Sequence, residues 1–393
     1  MNDIGEQARK MNDRLVAWRR HIHANPELDV ETPETEAYIV GELKKLGITK
    51  IRQGLAKHGV AALIDGEKPG GVLGIRCDID ALNMAEDTGL SFAATNGRMH
   101  ACGHDGHTAM LLGAAEILMA HRSQLAGTVK LIFQPAEETT RGAFLMIEDG
   151  VLSDPNVDAI VGLHTGGLWK PAVAGEIGYR PGPLMAATDF FTITFHGKGG
   201  HGATPHLTVD PIAIACQAYT ALQTIVSREV SPLDSAVVTI GLIQGGTAEN
   251  IIAPACTLRG TCRALTPDLR KKLQDRIKAL CEDIAHGMRG SATVEFLYGP
   301  PPLINDREMT EKLRRAASEI VGGEHVREID EPTMGGEDMA CYMEKVPGTF
   351  FFHPSFTGSD AFPHHHPKFD IDESVLWIGS ATFAQFALTW QQD

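Results

Sequence analysis

Between Ala187 and Phe296 the apolar pattern changes character, and this change restricts the fold more than any other feature of the chain. Asp189 to Phe195 alternates apolar and polar residues like a half-buried strand. Pro211 to Arg228 has the spacing and length of a helix, and Ser235 to Ile243 and Ala255 to Arg263 read as strands. Thr266-Pro267 starts a second helix that runs to about Met288, and Ala292 to Phe296 is a last strand. The order strand, helix, strand, strand, helix, strand is that of the split unit in ferredoxin-like domains.

The flanking regions follow another rule. Val60 to Ile64, Val72 to Ile75, Thr128 to Phe133 and Ala159 to Leu163 are short buried runs, with helical stretches at His107 to Ala120 and Gly142 to Glu148 between them. Upstream, Met11, Leu15, Trp18 and Ile22 recur at helical spacing, and Thr32-Pro33 has the form of an N-cap followed by the first helical residue. After Gly299-Pro300-Pro301-Pro302 the alternation returns, with helices near Glu308 to Val321 and Glu337 to Met343 and a strand at Thr349 to Phe352. A final helix is expected at about Asp372 to Trp390. The expected fold class is α/β with two domains. Residues 1–186 and 297–393 form a mixed-sheet α/β domain, and 187–296 form an inserted ferredoxin-like α+β domain. A chain of 393 residues is also longer than one hydrophobic core ordinarily serves.

Composition excludes some partners. The net charge of −15 argues against nucleic acid and anionic membranes. No apolar run reaches the ~20 residues of a membrane helix, and the N-terminus has no secretory pattern. The seven cysteines are odd in number and scattered, which fits a reducing cytoplasm better than a disulfide framework.

Histidine, cysteine and carboxylate clusters carry the chemical signal. The densest runs His100-Ala101-Cys102-Gly103-His104-Asp105-Gly106-His107, just before a helix. A thiolate and an imidazole two residues apart can both reach one borderline-soft ion. The second, Phe133-Gln134-Pro135-Ala136-Glu137-Glu138, ends a buried strand. If the backbone stays extended there, the two carboxylates point to opposite sides, one to a metal and one to its water. The third is Gly162-Leu163-His164, at the end of another buried strand, and the fourth is His364-His365-His366-Pro367. Each cluster alone fits an ordinary polar loop. Four of them at strand ends or loops of one α/β domain do not.

The chain closely resembles the hippurate hydrolase branch of the two-metal aminoacylase and exopeptidase superfamily, which includes plant auxin-conjugate hydrolases. The resemblance runs nearly end to end. Further segments that carry it are Arg76-Cys77-Asp78-Ile79-Asp80-Ala81-Leu82, Gly197-Lys198-Gly199-Gly200-His201-Gly202-Ala203 with Pro205-His206, and Gly335-Gly336-Glu337-Asp338. The resemblance implies metal-dependent hydrolysis of N-acyl or N-aroyl amino acids. It implies two divalent ions per subunit, zinc first, with manganese, cobalt or nickel as alternatives. The implied ligands are Cys102, His104, Glu138, His164 and His365; the x-Pro register selects His365 from the three consecutive histidines. Asp78 is implied as the carboxylate orienting a ligand histidine, and Glu137 as the base that takes the proton of a metal-activated water. His201 is implied as an oxyanion donor reaching into a partner subunit, which requires at least a homodimer. Asn250 and Arg263 are implied near the substrate, the guanidinium suiting a free α-carboxylate. Two departures bear on specificity: Asn83 replaces a usual proline, and Thr165-Gly166-Gly167 replaces an aliphatic and then a large residue. Two alternatives stay open, a dipeptidase of the same superfamily and a non-catalytic metal or small-molecule binding protein.

Overall fold

The computed structural model describes residues 3–170, 172–356, 358 and 361–392. The chain divides into two compact units. The first comprises Met1–Gly182, Ile304–Thr333 and Asp338–Asp393, and the second comprises Pro183–Leu303 with Met334–Glu337. The second unit is therefore wider than the 187–296 read from the sequence. Its two connections lie at Pro183 and Leu303, and it also takes in a short segment from the distant Gly335-Gly336 motif.

The first unit is built on one mixed eight-stranded sheet. Its strands lie in the order Ile51–Leu55, Gly59–Asp65, Ala126–Gln134, Lys68–Asp78, Ala159–Gly166, Gly348–Pro354, Ile177–Tyr179 and Val326–Glu328. The central pairs are parallel: Lys68–Asp78 lies between Ala126–Gln134 and Ala159–Gly166, and Gly348–Pro354 follows. Those central strands are buried along their site ends, as near-continuous apolar runs predict for parallel sheets. Two edge strands, Ile51–Leu55 and Val326–Glu328, escaped the sequence reading because they are short and half-exposed. The helix His104–Ala120 is apolar on nearly every side and is buried all round. It packs against Leu376–Thr389, where the Ser380 hydroxyl donates to the Met110 carbonyl at 2.9 Å. The N-terminus adds a helix at Asp3–Lys10 before the one read from the sequence. The Thr32 cap is corrected: its side chain makes no capping bond. The Glu27 carboxylate instead accepts from the amides of Glu34 and Thr35.

In the second unit the strands Ala236–Gly245, Ala255–Ala264, Ala187–His196 and Ser291–Tyr298 form an antiparallel sheet in that order. In sequence order this is 2-3-1-4, the ferredoxin-like arrangement. Helices Pro211–Thr224 and Pro267–Gly287 cover one face. Phe191, Ile193, Phe195, Ile214, Leu222, Leu273 and Ile277 fill the space beneath them. Asp210 and Thr266 cap these helices ahead of a proline at the first position. The first helix was expected to reach Arg228, but its last turn, Ile225–Glu229, widens into π geometry.

Candidate metal centre

Parallel strands that end together put their following loops together. Asp78 and Gln134 are register partners at the ends of adjacent strands, and Arg76 pairs Gly162 on the other side. The loop after Lys68–Asp78 carries Asp80. The turn after Ala126–Gln134 carries Glu137 and Glu138, and His164 lies two residues inside the end of Ala159–Gly166. Gly103 starts the helix that presents His104. Its φ of +88° lies in the region open to glycine, and a Cβ there would come 2.7 Å from the Thr165 methyl.

Ligand-type atoms converge on this edge. The Sγ of Cys102, a ring nitrogen of His104 and a carboxylate oxygen of Glu138 lie within 4.8 Å of one another. Cys102, His164 and His364 form a second such group, and Asp78, His104 and His107 a third. Cys102 Sγ is 3.4 Å from His164 Nε2. His365 Nε2 lies 3.4 Å from a Glu138 oxygen, and its own amide is tied to the Ala101 carbonyl at 2.9 Å. So Cys102, His104, Glu138, His164 and His365 share one site in the first unit, and His364 shares it with them.

Hydrogen bonds sort these imidazoles by which nitrogen keeps a lone pair. His104 Nδ1 donates to the Asp80 carbonyl at 2.8 Å and His164 Nδ1 donates to the Thr165 carbonyl at 2.7 Å. Both Nε2 atoms face the cluster, where each can give a lone pair to an ion. His107 differs. Its Nε2 accepts from the Thr165 amide at 2.9 Å and its Nδ1 donates to Asp78 at 2.5 Å, so neither nitrogen is available to an ion. The role read for Asp78 is corrected in this respect: the ring it holds by hydrogen bond is His107, while His104 Nε2 lies 3.7 Å from its other oxygen.

The donor set fits divalent metal. His104 Nε2 and Glu138 Oε1 are buried and have no hydrogen-bond partner among the described residues, a costly state that a cation relieves. Burial opposes charge on His104, yet the Asp78 carboxylate and the bond to Asp80 hold its pKa well above the ordinary value. The surroundings thus favour a positive charge at that ring. Burial, reinforced by Glu138, pushes the Cys102 thiol well up, so a thiolate there needs a cation beside it. Burial keeps His164 neutral, with a pKa well below the ordinary value, which leaves its lone pair free.

The Glu137-Glu138 pair is not extended, which corrects the sequence expectation. It sits on a turn after Ala136, whose φ is +62°. Asp80 grips this turn: its two oxygens accept from the Glu137 amide at 2.9 Å and the Glu138 amide at 3.2 Å. Asp80 thus supports His104 through its carbonyl and both glutamates through its carboxylate. The sequence reading gave Asp80 no role, although the two-residue spacing of Asp78 and Asp80 at a strand end was a usable signal. Arg19 was also missed. It is 1% exposed and donates to Asp105, Asp370 and Glu373, joining the helix Asn12–Ala24 to the first turn of His104–Ala120 and to the C-terminal segment at 370–373.

His201, Asn250 and Arg263 belong to the second unit. His201 pairs Ile251 in a two-stranded ribbon, and its Nδ1 accepts from the Ala203 amide at 3.0 Å. The ring proton therefore sits on the exposed Nε2. Asn250 is exposed on the same ribbon, its carbonyl accepting from Gly202. Arg263 is half-buried over Phe190, and its Nη1 is buried with no hydrogen-bond partner among the described residues.

Residues 74–389 match the sequence model of peptidase family M20/M25/M40. N-acetyl-L-cysteine deacetylase of Bacillus subtilis is 44% identical over 93% of this chain and 85% of its own length. IAA-amino acid hydrolase ILR1-like 4 of Arabidopsis thaliana is 38% identical over 95% of this chain and 85% of its own length. The crystal structure of a dinuclear metal binding peptidase of the M20 family from Bacillus subtilis superposes with a TM-score of 0.84 at 36% identity, covering 96% of this chain and 98% of that one. No described helix is long and apolar enough to cross a membrane. With its ligand atoms gathered at the ends of the parallel strands, the chain belongs to peptidase family M20/M25/M40 as a metal-dependent amidohydrolase.

Proposed function

We propose that the protein hydrolyses the amide bond of N-acyl or N-aroyl amino acids, hippurate-like compounds among them, to a carboxylate and a free amino acid. The observation that carries this reading is the buried group Cys102, His104 and Glu138, with two orphaned ligand atoms, beside the Asp80-clamped turn that bears Glu137. Cys102, His104, Glu138, His164 and His365 hold two divalent ions, zinc first, with manganese, cobalt or nickel as alternatives. When bound, such ions polarise the scissile carbonyl and acidify water. Glu137 takes the proton of the attacking water and passes it to the leaving amine. Asp78 keeps His107, and through it the Thr165 backbone beside His164, in place.

His201 supplies the oxyanion donor from a second copy of the chain, its Nε2–H being free to donate. The protein is then at least a homodimer, with 187–296 serving dimerisation and closure. The unpartnered Arg263 Nη1 suits the substrate α-carboxylate, with Asn250 beside the substrate. Both curated relatives described above carry names of enzymes acting on N-acylated amino acids, which supports this substrate class over dipeptides. A cytoplasmic setting fits the free cysteines.

The test is a panel of benzoyl, acetyl and indole-acetyl amino acids, assayed with metal content measured on the same preparation. Free amino acid is expected from this panel, and blocking the α-carboxylate as an amide should slow its release. Faster hydrolysis of unblocked dipeptides than of every N-acyl amino acid would overturn the reading in favour of a dipeptidase.

A further inference from the structure

His364 stands among the ligand atoms, but its hydrogen bonds give it another part. The Gly167 amide donates to His364 Nε2 at 3.0 Å. An amide N–H can only donate, so Nε2 carries a lone pair and the ring proton must sit on Nδ1. Nδ1 faces Cys102 Sγ at 3.7 Å. Turning the ring over would set a carbon against the amide and forfeit that bond. We propose that His364 donates an Nδ1–H···S hydrogen bond to the Cys102 thiolate, and that Gly166 and Gly167 are the residues that admit and orient it. This rests on the reading of Cys102 as a metal ligand.

The contrast with its neighbours is chemical. His104 and His164 each donate Nδ1–H to a carbonyl and keep Nε2 for an ion. His364 has its acceptor nitrogen filled by an amide, as His107 does, and presents a proton to the cluster. Space decides who can do this. A Cβ on Gly166 would lie 2.3 Å from both Cε1 and Nε2 of His364, and the φ of Gly166 is +92°. Any side chain at 166 therefore expels the ring. The unusual glycine at 166 thus has a physical reason, since it clears the ring's place, while the backbone amide of residue 167 fixes the ring's tautomer. The ring also packs on Phe369 with a centroid distance of 4.7 Å, so it is held from behind. A hydrogen bond to a thiolate draws electron density from sulfur and leaves the adjacent ion a stronger Lewis acid. His364 is thus a positioning and tuning residue acting through Cys102.

The experiment loads the full-length protein with cobalt(II) and follows the thiolate-to-cobalt charge-transfer band together with cobalt content. The wild-type band should vanish in Cys102→Ser. Its absence from the wild type would remove Cys102 as a ligand and the inference with it. In His364→Leu the band should move to longer wavelength with both ions retained, and Gly166→Ala should produce the same shift. His364→Gln, which keeps an N–H donor, should restore the band toward its wild-type position. An unmoved band in His364→Leu would overturn the proposal. Loss of one ion in that variant would overturn it differently, by making His364 a ligand.

Discussion

Asp80→Asn isolates the clamp that shapes the site. The Asp80 carboxylate accepts two buried backbone amides, those of Glu137 and Glu138. Asparagine keeps one acceptor oxygen and turns an NH2 group toward the other amide. One charge-assisted bond is lost, about 1.5–3 kcal/mol, and a buried amide is left unsatisfied, about 1–3 kcal/mol more. The turn has a way to avoid part of that cost. Ala136 holds a φ of +62°, a conformation that costs a non-glycine residue about 1–3 kcal/mol and persists only while the surroundings enforce it. Released from Asp80, the turn relaxes and carries Glu137 with it. A displacement of about 1 Å in a reacting group costs about 10²-fold in rate. The assay is a pair: thermal unfolding, and kcat measured at matched metal content. Asp80→Asn should lower Tm by several degrees, the unrelaxed cost of about 2.5–6 kcal/mol setting a ceiling of about 5–12 °C at about 2 °C per kcal/mol for a unit of this size, and kcat by about 10²-fold. A variant with unchanged Tm and unchanged kcat would refute the clamp.

Three further outcomes are expected. Arg19→Met strips the buried Asp105 of its guanidinium and leaves it only His23, so stability should fall by about 3–5 kcal/mol in chemical unfolding; a loss under about 1 kcal/mol would remove Arg19 as a structural link. His23 should make stability pH-dependent. Burial lowers its pKa, but hydrogen bonds to Asp105 and Glu86 outweigh burial and raise it to about 9, above its unfolded value near 6.5. Its contribution is therefore complete below pH ~6.5 and lost as pH rises through 9, so the Tm gap between wild type and His23→Gln should close over that window. A gap that widens would reverse the sign. Removing the ions with a chelator should lower Tm and abolish hydrolysis, and re-addition should restore both; unchanged Tm would count against a metal held by the folded state.

The parts legible in the sequence were those with strong local signals. The inserted unit was visible because its strands alternate and its helices start at Asp210-Pro211 and Thr266-Pro267, where side-chain caps form. Its boundaries were not, since Met334–Glu337 joins it only through the fold. The clusters Cys102-Gly103-His104 and Glu137-Glu138 stood out by residue type. What hid from the sequence was directional. The register against Pro367 singled out His365, the ring that faces Glu138, but nothing in His364-His365-His366 tells that His364 receives the Gly167 amide. The extended reading of Glu137-Glu138 failed because Asp80, distant in sequence, bends the backbone into a turn. Arg19 looked like one more basic residue on an amphipathic helix, and only tertiary packing surrounds it with three carboxylates.

The most direct measurement is Glu137→Gln, assayed for metal content and amide hydrolysis on one preparation. The account predicts two ions per subunit, as in the wild type, with hydrolysis reduced by at least about 10²-fold through loss of the base. Full metal content with an unchanged rate would contradict it.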